Sequence, residues 1–167
     1  ITPSLAGYSF LPAARSFTGV AANLTAQDFS ASTLTYQIDG AIAAGSTPVA
    51  GVVMSGSTGS TCSVSDALGR YVCTVPSGWS GTITPTRAGY AFTPVLRNYM
   101  AVAANVSSQT FAAAALVQLG GNVAVGASPL SGVSVTATNG GTCTPTDSSG
   151  NYSCSVPSGW TGTVTPA

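Results

Sequence analysis

The sequence predicts an all-β protein made of tandem immunoglobulin-like antiparallel β-sandwich repeats of about 82 residues, each with a hairpin disulfide. Three observations lead to this prediction. Short segments of alternating apolar and polar residues lie between turns rich in glycine and proline, and no segment carries a helical apolar stripe. The later part of the chain repeats much of the earlier part. Two pairs of cysteines flank the same kind of turn.

The composition limits what the chain could do. Of its 167 residues, 44% are apolar, which is enough for a packed core, and only 5% are charged; about a quarter is usual. The charges are four Arg and four Asp, so the net charge is zero and predicts neither nucleic acid nor anionic lipid as a partner. The apolar run Phe111–Val117 is too short to cross a membrane, so no membrane insertion is expected.

The repeat becomes visible when the sequence is aligned with itself. Residues 1–31 match residues 83–113 at 16 of 31 positions, and residues 36–85 match residues 117–166 at 23 of 50 positions. The offset falls from 82 to 81 because one residue is lost near 32–35. Agreement at this level indicates a tandem repeat.

The place where the alignment slips, Ala31–Thr35, predicts the module boundary, because linkers tolerate such slips. We predict that residues 34–114 form one complete sandwich. Residues 1–33 are then the C-terminal third of a preceding or strand-complemented repeat, and residues 115–167 are the N-terminal two-thirds of the next. We expect the incomplete repeat to be completed either by a polypeptide that continues or by separate subunits that complement one another head to tail, both of which give a filament.

Within the complete repeat the predicted strands alternate with turn signals such as Pro-Ser-Gly-Trp and Ala-Gly-Tyr. About seven strands in roughly 80 residues predict a Greek-key sandwich. The clearest strand segments are Tyr36–Ile42, Val49–Ser55, Arg70–Val75, Gly81–Pro85 and Asn105–Phe111.

The cysteines sharpen this prediction. Cys62 and Cys73 flank the segment Asp66–Gly69, in which Asp at the first position and Gly at the fourth are typical of a type I turn. Counting outward from the turn places the two thiols opposite each other, and Cys143 and Cys154 repeat the arrangement. Four cysteines allow three connectivities, of which local pairing is favoured. Zinc is a poor alternative because the ten-residue spacing fits no common site and the chain has no His. Paired cysteines indicate an oxidising compartment.

Four motifs follow one another along the repeat: Pro-x-x-Gly-Val at 48–52, Ser-Asp-x-x-Gly-x-Tyr at 65–71, Gly-Trp-x-Gly-Thr-x-Thr-Pro at 78–85 and Gly-Tyr-x-Phe-x-Pro at 89–94. With them the chain resembles the carboxypeptidase-regulatory-like (prealbumin-like) sandwich repeats of bacterial extracellular proteins. Thr-Asp is usual there at the turn, which here reads Ser65-Asp66 in one copy and Thr146-Asp147 in the other. The resemblance implies prealbumin-like modules in long tandem arrays, used as spacers, stalks, surface layers or adhesin arms.

We expect no enzymatic activity, no cofactor, and no catalytic or metal-binding residues. Without His, Lys or Glu, neither a Ser-His-Asp nor a Cys-His nucleophile system can be built, and without Lys no isopeptide crosslink can form. Asp66 and Asp147 occupy the same turn in both copies, which favours turn capping over calcium binding. Asp28 and Asp39 have no acidic counterpart in the other copy, so no paired-carboxylate site repeats.

Several aromatic and asparagine residues are candidates for packing or binding. The aromatic residues recur in both copies, which favours core or inter-module packing over stacking on a sugar; they are Trp79, Trp160, Tyr8, Tyr90, Phe10 and Phe92. N-glycosylation sequons begin at Asn23, Asn105 and Asn151, for which a turn or edge-strand role is favoured. The many Ser and Thr residues leave O-glycosylation open.

The sequence therefore predicts a structural module of a long extracellular bacterial fibre, filament or surface stalk, whose partners are further copies of itself. The alternative is an adhesin or carbohydrate-binding surface module with glycans as partners. Ice binding is disfavoured because the Thr spacing follows sandwich turns and not a regular solenoid. A binding site would need exposed aromatics in one copy that the other lacks, whereas both copies keep Trp, Tyr and Phe alike. The very low charge also permits modules to pack closely.

Overall fold

The structure is a computed structural model that describes all 167 residues, and it consists of strands and loops only. The all-β prediction is confirmed. The chain contains no helix of the length and apolarity that a membrane span would need. The strands are β1 (Tyr8–Leu11), β2 (Ser30–Thr33), β3 (Thr35–Ala44), β4 (Thr47–Pro48), β5 (Val53–Gly56), β6 (Thr61–Cys62), β7 (Arg70–Pro76), β8 (Trp79–Thr86), β9 (Tyr90–Thr93), β10 (Arg97–Val102), β11 (Phe111–Asn122), β12 (Ala124–Val125), β13 (Ser128–Pro129), β14 (Val135–Ala137), β15 (Thr142–Cys143), β16 (Asn151–Pro157) and β17 (Val164–Pro166).

The strands from β3 to the start of β11 form a sandwich of two sheets. One sheet contains β9, the start of β11, β3, β7 and β6, with the short β4 paired to the end of β3. The other sheet has the order β10-β8-β5. A core of fourteen buried residues lies between the sheets: Ile38, Ile42, Val49, Val52, Met54, Tyr71, Cys73, Val75, Trp79, Ile83, Phe92, Val102, Phe111 and Ala113. The sandwich prediction is confirmed.

Alternation along the strands explains which side chains enter this core. In β7, Tyr71, Cys73 and Val75 are buried, whereas Arg70 and Val72 between them are exposed. Successive side chains of a strand point to opposite faces, so one face of β7 covers the core and the other meets solvent.

Strand β11 belongs to two parts of the fold. Its first residues pair with β9 and run parallel to β3, and its residues Leu116–Asn122 pair antiparallel with β16. The strand therefore leaves the complete sandwich and enters residues 115–167 with no loop between them. One edge of its second half is bonded to β16, and no strand pairs with the other edge.

The two ends of the chain contain three two-stranded sheets, and β15 and β16 extend the large sheet through β11. In residues 1–33, β1 pairs with β2 across a long loop. In residues 115–167, β15 pairs with β16, β14 with β17, and β12 with β13. The division at residues 34 and 115 itself stays a prediction.

One predicted strand differs from the structure. Of the segment Asn105–Phe111, only Phe111 lies in a regular strand, and Val106 forms an isolated parallel bridge with Ile38. Ser108 has a positive φ of 61°, which interrupts an extended conformation. The segment nevertheless bonds to the edge of β3, through Asp39 N to Val106 O at 2.9 Å and Val106 N to Gln37 O at 2.8 Å.

Candidate functional site

The two cysteine hairpins have the predicted connectivity. Disulfides join Cys62 to Cys73 and Cys143 to Cys154, each with a sequence separation of 11. In both hairpins the two cysteines are direct cross-strand partners. The disulfide part of the fold prediction is confirmed, and it indicates that the protein folds in an oxidising compartment.

The aspartates at the hairpin tips bond to their own turns. Oδ1 of Asp66 accepts hydrogen bonds from the backbone N–H groups of Leu68 and Arg70, at 2.9 and 2.8 Å. Asp147 does the same in the second hairpin, and backbone N–H groups, that of Asn151 above all, hold the pKa of its carboxyl below its usual value. With its oxygen engaged in this way, each carboxylate acts as a turn cap.

A buried hydroxyl next to each turn was not singled out from the sequence as a structural residue. Ser65 accepts a hydrogen bond from Val52 N and donates one to Val49 O, both at 2.9 Å. At the equivalent position, Thr146 accepts from Val133 N at 2.8 Å. The only sequence signal is that a hydroxyl residue precedes the turn Asp in both copies.

The two tryptophans make the same backbone contact in different surroundings. Trp79 is buried in the sandwich core and donates from Nε1 to Thr58 O at 3.0 Å. Trp160 is only half-buried and donates to Thr138 O at 2.9 Å. A side chain at Gly81 would collide with the Trp79 ring, so glycine lets the indole lie flat on the strand. The Trp79 ring also lies beside Tyr99, with 6.1 Å between centroids.

The aromatic pairs of the Gly-Tyr-x-Phe motif lie at unequal depths. Phe92 is buried and Tyr90 is half-buried, with their rings 6.4 Å apart, and the Arg87 guanidinium lies 4.9 Å from the Tyr90 centroid. In the first copy Tyr8 is exposed and Phe10 is half-buried. The structure does not bring the two pairs together.

Tyr71 connects the sandwich core to the irregular segment beyond β10. Its hydroxyl donates to Gln109 O at 2.5 Å, and burial raises its pKa well above the ordinary value for tyrosine. Burial also raises the pKa of Tyr99, whose hydroxyl bonds to the Gln109 side chain at 3.3 Å. Both phenols are therefore neutral hydrogen-bond donors at physiological pH.

The three sequon asparagines are exposed. The Oδ1 atom of Asn105 accepts a hydrogen bond from Gln37 N at 2.9 Å, and that of Asn151 accepts one from the Asn122 side chain at 3.0 Å. Asn23 lies in the loop between β1 and β2. Asn105 and Asn151 thus make structural contacts, while their side chains stay accessible.

The remaining surface offers little chemistry. No three side chains of the metal-ligating types come together, and every buried side-chain nitrogen or oxygen has a hydrogen-bond partner. A shallow polar groove beside β3 and β7 is lined by Gln37, Asp39, Arg70 and Thr110, among others. It holds one carboxylate and one guanidinium.

Comparison with known proteins gives one informative match. The sequence is 35% identical to "Chitinase ChiA" of Flavobacterium johnsoniae over an alignment of 142 residues that covers 82% of this chain. The chain spans only 9% of the length of that protein. No family model matches the chain, and no solved structure matches it.

Proposed function

We propose that this chain is a non-catalytic structural segment of a secreted or surface-exposed bacterial protein, in which β-sandwich modules of the carboxypeptidase-regulatory-like kind follow one another as a fibre, stalk or spacer. The observation that carries the proposal is strand β11, which leaves one sandwich and enters the next part of the fold without a linker. A shared strand fixes the direction of consecutive modules, as a spacer requires.

Three further observations support a role outside catalysis and outside the cell. The stretch that matches this chain is a small part of a much longer protein named a chitinase. A stretch of this length has the size expected of an accessory module. The chain has no His, Lys or Glu, and the turn carboxylates of Asp66 and Asp147 cap their own hairpins. The disulfides require an oxidising compartment, such as the bacterial cell exterior.

The stiffness of the junction tests the structural role. Leu116 N in β11 donates to Gly89 O, immediately before β9, at 2.8 Å, and Leu116→Pro removes that donor. Spin labels at Ser55 and Thr136, one on each side of the junction, are expected to give a narrow distance distribution in the parent chain and in the control Leu116→Val. Leu116→Pro is expected to broaden it. A broad distribution in the parent chain would contradict the spacer role.

The match to a protein named a chitinase also supports a second candidate, a carbohydrate-binding module. The aromatic groups available to a sugar are Tyr8, which is exposed, and Tyr90, which is half-buried beside Arg87. We expect the chain to remain in the supernatant when it is mixed with insoluble chitin. Co-sedimentation that is lost in Tyr8→Ala or Tyr90→Ala, with the fold intact, would favour the carbohydrate-binding role.

A further inference from the structure

Residues 115–167 leave apolar side chains uncovered whose equivalents are buried in the complete sandwich. Leu119 is 37% exposed, whereas its equivalent Ile38 is fully buried. Leu130 is 39% exposed, whereas its equivalent Val49 is 4% exposed. The half-buried Tyr152 and Trp160 likewise correspond to buried residues of the complete sandwich. We call Leu119, Leu130, Tyr152, Trp160 and the unpaired edge of β11 the open face.

In the complete sandwich, residues 90–113 cover the surface that corresponds to the open face. Strand β10 pairs with β8 and places Val102 opposite Trp79. The segment at 105–109 bonds along β3, with Gln109 N donating to Asp39 O at 2.9 Å. The backbone of Gln109 passes so close to Gly40 that a β-carbon there would clash with it. The equivalent of Gly40 is Gly121, where the side chain of Tyr152 lies in place of such a segment, with its hydroxyl 2.6 Å from the position that a β-carbon would take.

The N-terminal segment, residues 1–33, has the sequence of this cover, and its strands β1 and β2 pair only with each other. Val20 is 58% exposed, whereas its equivalent Val102 is 6% exposed. Leu24, which corresponds to the half-buried Val106, is also exposed. Asn23 and Gln27 keep the residue types of Asn105 and Gln109, which bond to β3 in the complete sandwich.

The N-terminal segment also has the internal geometry of the cover. Its Arg15 donates two hydrogen bonds to Asp28 O and lies 5.8 Å from the Phe29 centroid. In the cover, Arg97 donates two hydrogen bonds to Thr110 O and lies 5.4 Å from the Phe111 centroid.

The backbone registers of the two segments agree as well. Phe10 pairs with Ala31 in the N-terminal segment, as Phe92 pairs with Ala113 in the cover. The N-terminal segment therefore already has the internal pairing of the cover, which reduces the conformational entropy lost on docking. Ile1 bonds to Arg15 as Ile83 pairs with Arg97, and on docking Ile1 gives up this place to Val164 of the other copy.

We propose that the N-terminal segment of a second copy of this chain docks on the open face and completes the sandwich there. No hydrogen bond joins residues 1–33 to residues 115–167 within one chain. The equivalences set the register: Leu24 beside Leu119, Val20 opposite Trp160, and Gln27 O at the hydroxyl of Tyr152. The second copy presents its own open face at its other end, so the contact is head to tail and extends into a chain of subunits.

The proposal deepens the structural role proposed above and rests on it for the linear arrangement of modules. Strand addition satisfies the free backbone groups of the β11 edge and removes the apolar side chains from water, which are the two contributions that drive such docking.

A cysteine pair across the expected contact tests the register. In the complete sandwich, Asn98 of β10 pairs with Thr82 of β8. The equivalent residues are Ser16 and Thr163. In the full chain, Ser16→Cys with Thr163→Cys is expected to give a ladder of covalent dimers, trimers and longer species on non-reducing electrophoresis, and the ladder collapses on reduction.

Three controls interpret the ladder. Each single variant can give dimers at most, and Asn98→Cys with Thr82→Cys checks that the geometry supports a crosslink inside one chain. Placing the second cysteine at Thr165 and not at Thr163, two residues away, is expected to reduce the ladder strongly. A crosslink confined to the monomer would overturn the second copy as the occupant, and free thiols throughout would overturn the docking itself.

Sedimentation of the full chain provides an independent measurement. The weight-average mass is expected to rise above 16.3 kDa with increasing concentration. Leu119→Asp, which places a charge on the open face, is expected to weaken association at least about a hundredfold. The matched control is Val72→Asp, because Val72 is also 37% exposed but lies on the outer face of the complete sandwich.

Equal association by both variants, or a concentration-independent monomer, would overturn the proposal. Neither of these two association results would contradict the structural role proposed above. Binding to chitin or a flexible junction at β11 would count against that role and would leave the association measurement unchanged.

Discussion

The hydroxyl of Ser65 joins two stretches of chain that local sequence does not connect. It bonds to the backbone at Val52 and Val49, 13 and 16 residues away, and so fixes the path into β5. Because this contact is tertiary, nothing in the neighbourhood of Ser65 reveals it. Thr146 repeats the contact with Val133.

Replacing this hydroxyl gives a first prediction. Ser65→Ala leaves Val52 N buried without a partner and is expected to lower the free energy of unfolding by about 1–3 kcal/mol. Ser65→Thr is expected to retain most of the stability, since the second copy has Thr at this position. Urea denaturation of the three proteins measures the difference. Equal midpoints for the Ala and Thr variants would contradict a role for the hydroxyl.

The carboxylate of Asp147 gives a second prediction, on pH. Backbone N–H groups of Asn151 and Ser149 stabilise the charged form, so the pKa of Asp147 is lower in the folded protein than in the unfolded chain. Its contribution to stability is therefore complete above the unfolded pKa of about 3.9 and is lost as the pH falls through the lower folded value. NMR titration of the carboxyl carbon should report this depression. In Asp147→Asn, the acid-dependent part of the unfolding free energy assigned to this residue should disappear.

At the scale of elements, the cysteine hairpins were predictable because their determinants are local. A turn with Asp first and Gly fourth sets the register, and the register places Cys62 opposite Cys73. The structure contains the expected turn bond, from Gly69 N to Asp66 O at 2.9 Å. Reasoning from a few adjacent residues therefore sufficed.

Two other elements could not be predicted in this way. The slip in the repeat alignment at Ala31–Thr35 predicted a linker, and the counterpart of that segment is the alanine-rich stretch Ala113–Leu116. It is strand because Ala114 and Ala115 pair with β9, a contact invisible to local propensity. The segment Asn105–Phe111 looked like a strand, but Ser108 adopts a positive φ there.

Removing one disulfide gives a third prediction. Closing a loop of this length is worth about 3 kcal/mol in the chain-entropy model. Cys62→Ala with Cys73→Ala should lower the unfolding free energy of the complete sandwich by about that amount or more, because Cys73 lies in its core. The matched pair, Cys143→Ala with Cys154→Ala, lies outside that core and should leave the main thermal transition much closer to that of the parent chain. Equal shifts would show that the two hairpins belong to one cooperative unit.

At the scale of the whole molecule, stability should follow how completely each part of the sandwich is covered. The core cluster lies entirely within residues 38–113, and few residues are buried on either side of it. Buried apolar contacts largely determine which amides open only with global unfolding. The predicted division of the chain at residues 34 and 115 thus has a dynamic consequence that can be measured without cutting the chain.

Hydrogen exchange on the intact, dilute chain should reveal this difference as a fourth prediction. Amides of β3, β7 and β8 should exchange slowest, because both faces of that sandwich are in place. Amides of β1, β2 and β14 should exchange by local opening, since those strands pair but lack a covered core. Raising the protein concentration should slow exchange at Gln118 and Gly120, where the β11 edge is free, and Leu119→Asp should prevent that slowing. Uniform protection from end to end at low concentration would contradict the division and indicate that one chain closes both of its ends by itself.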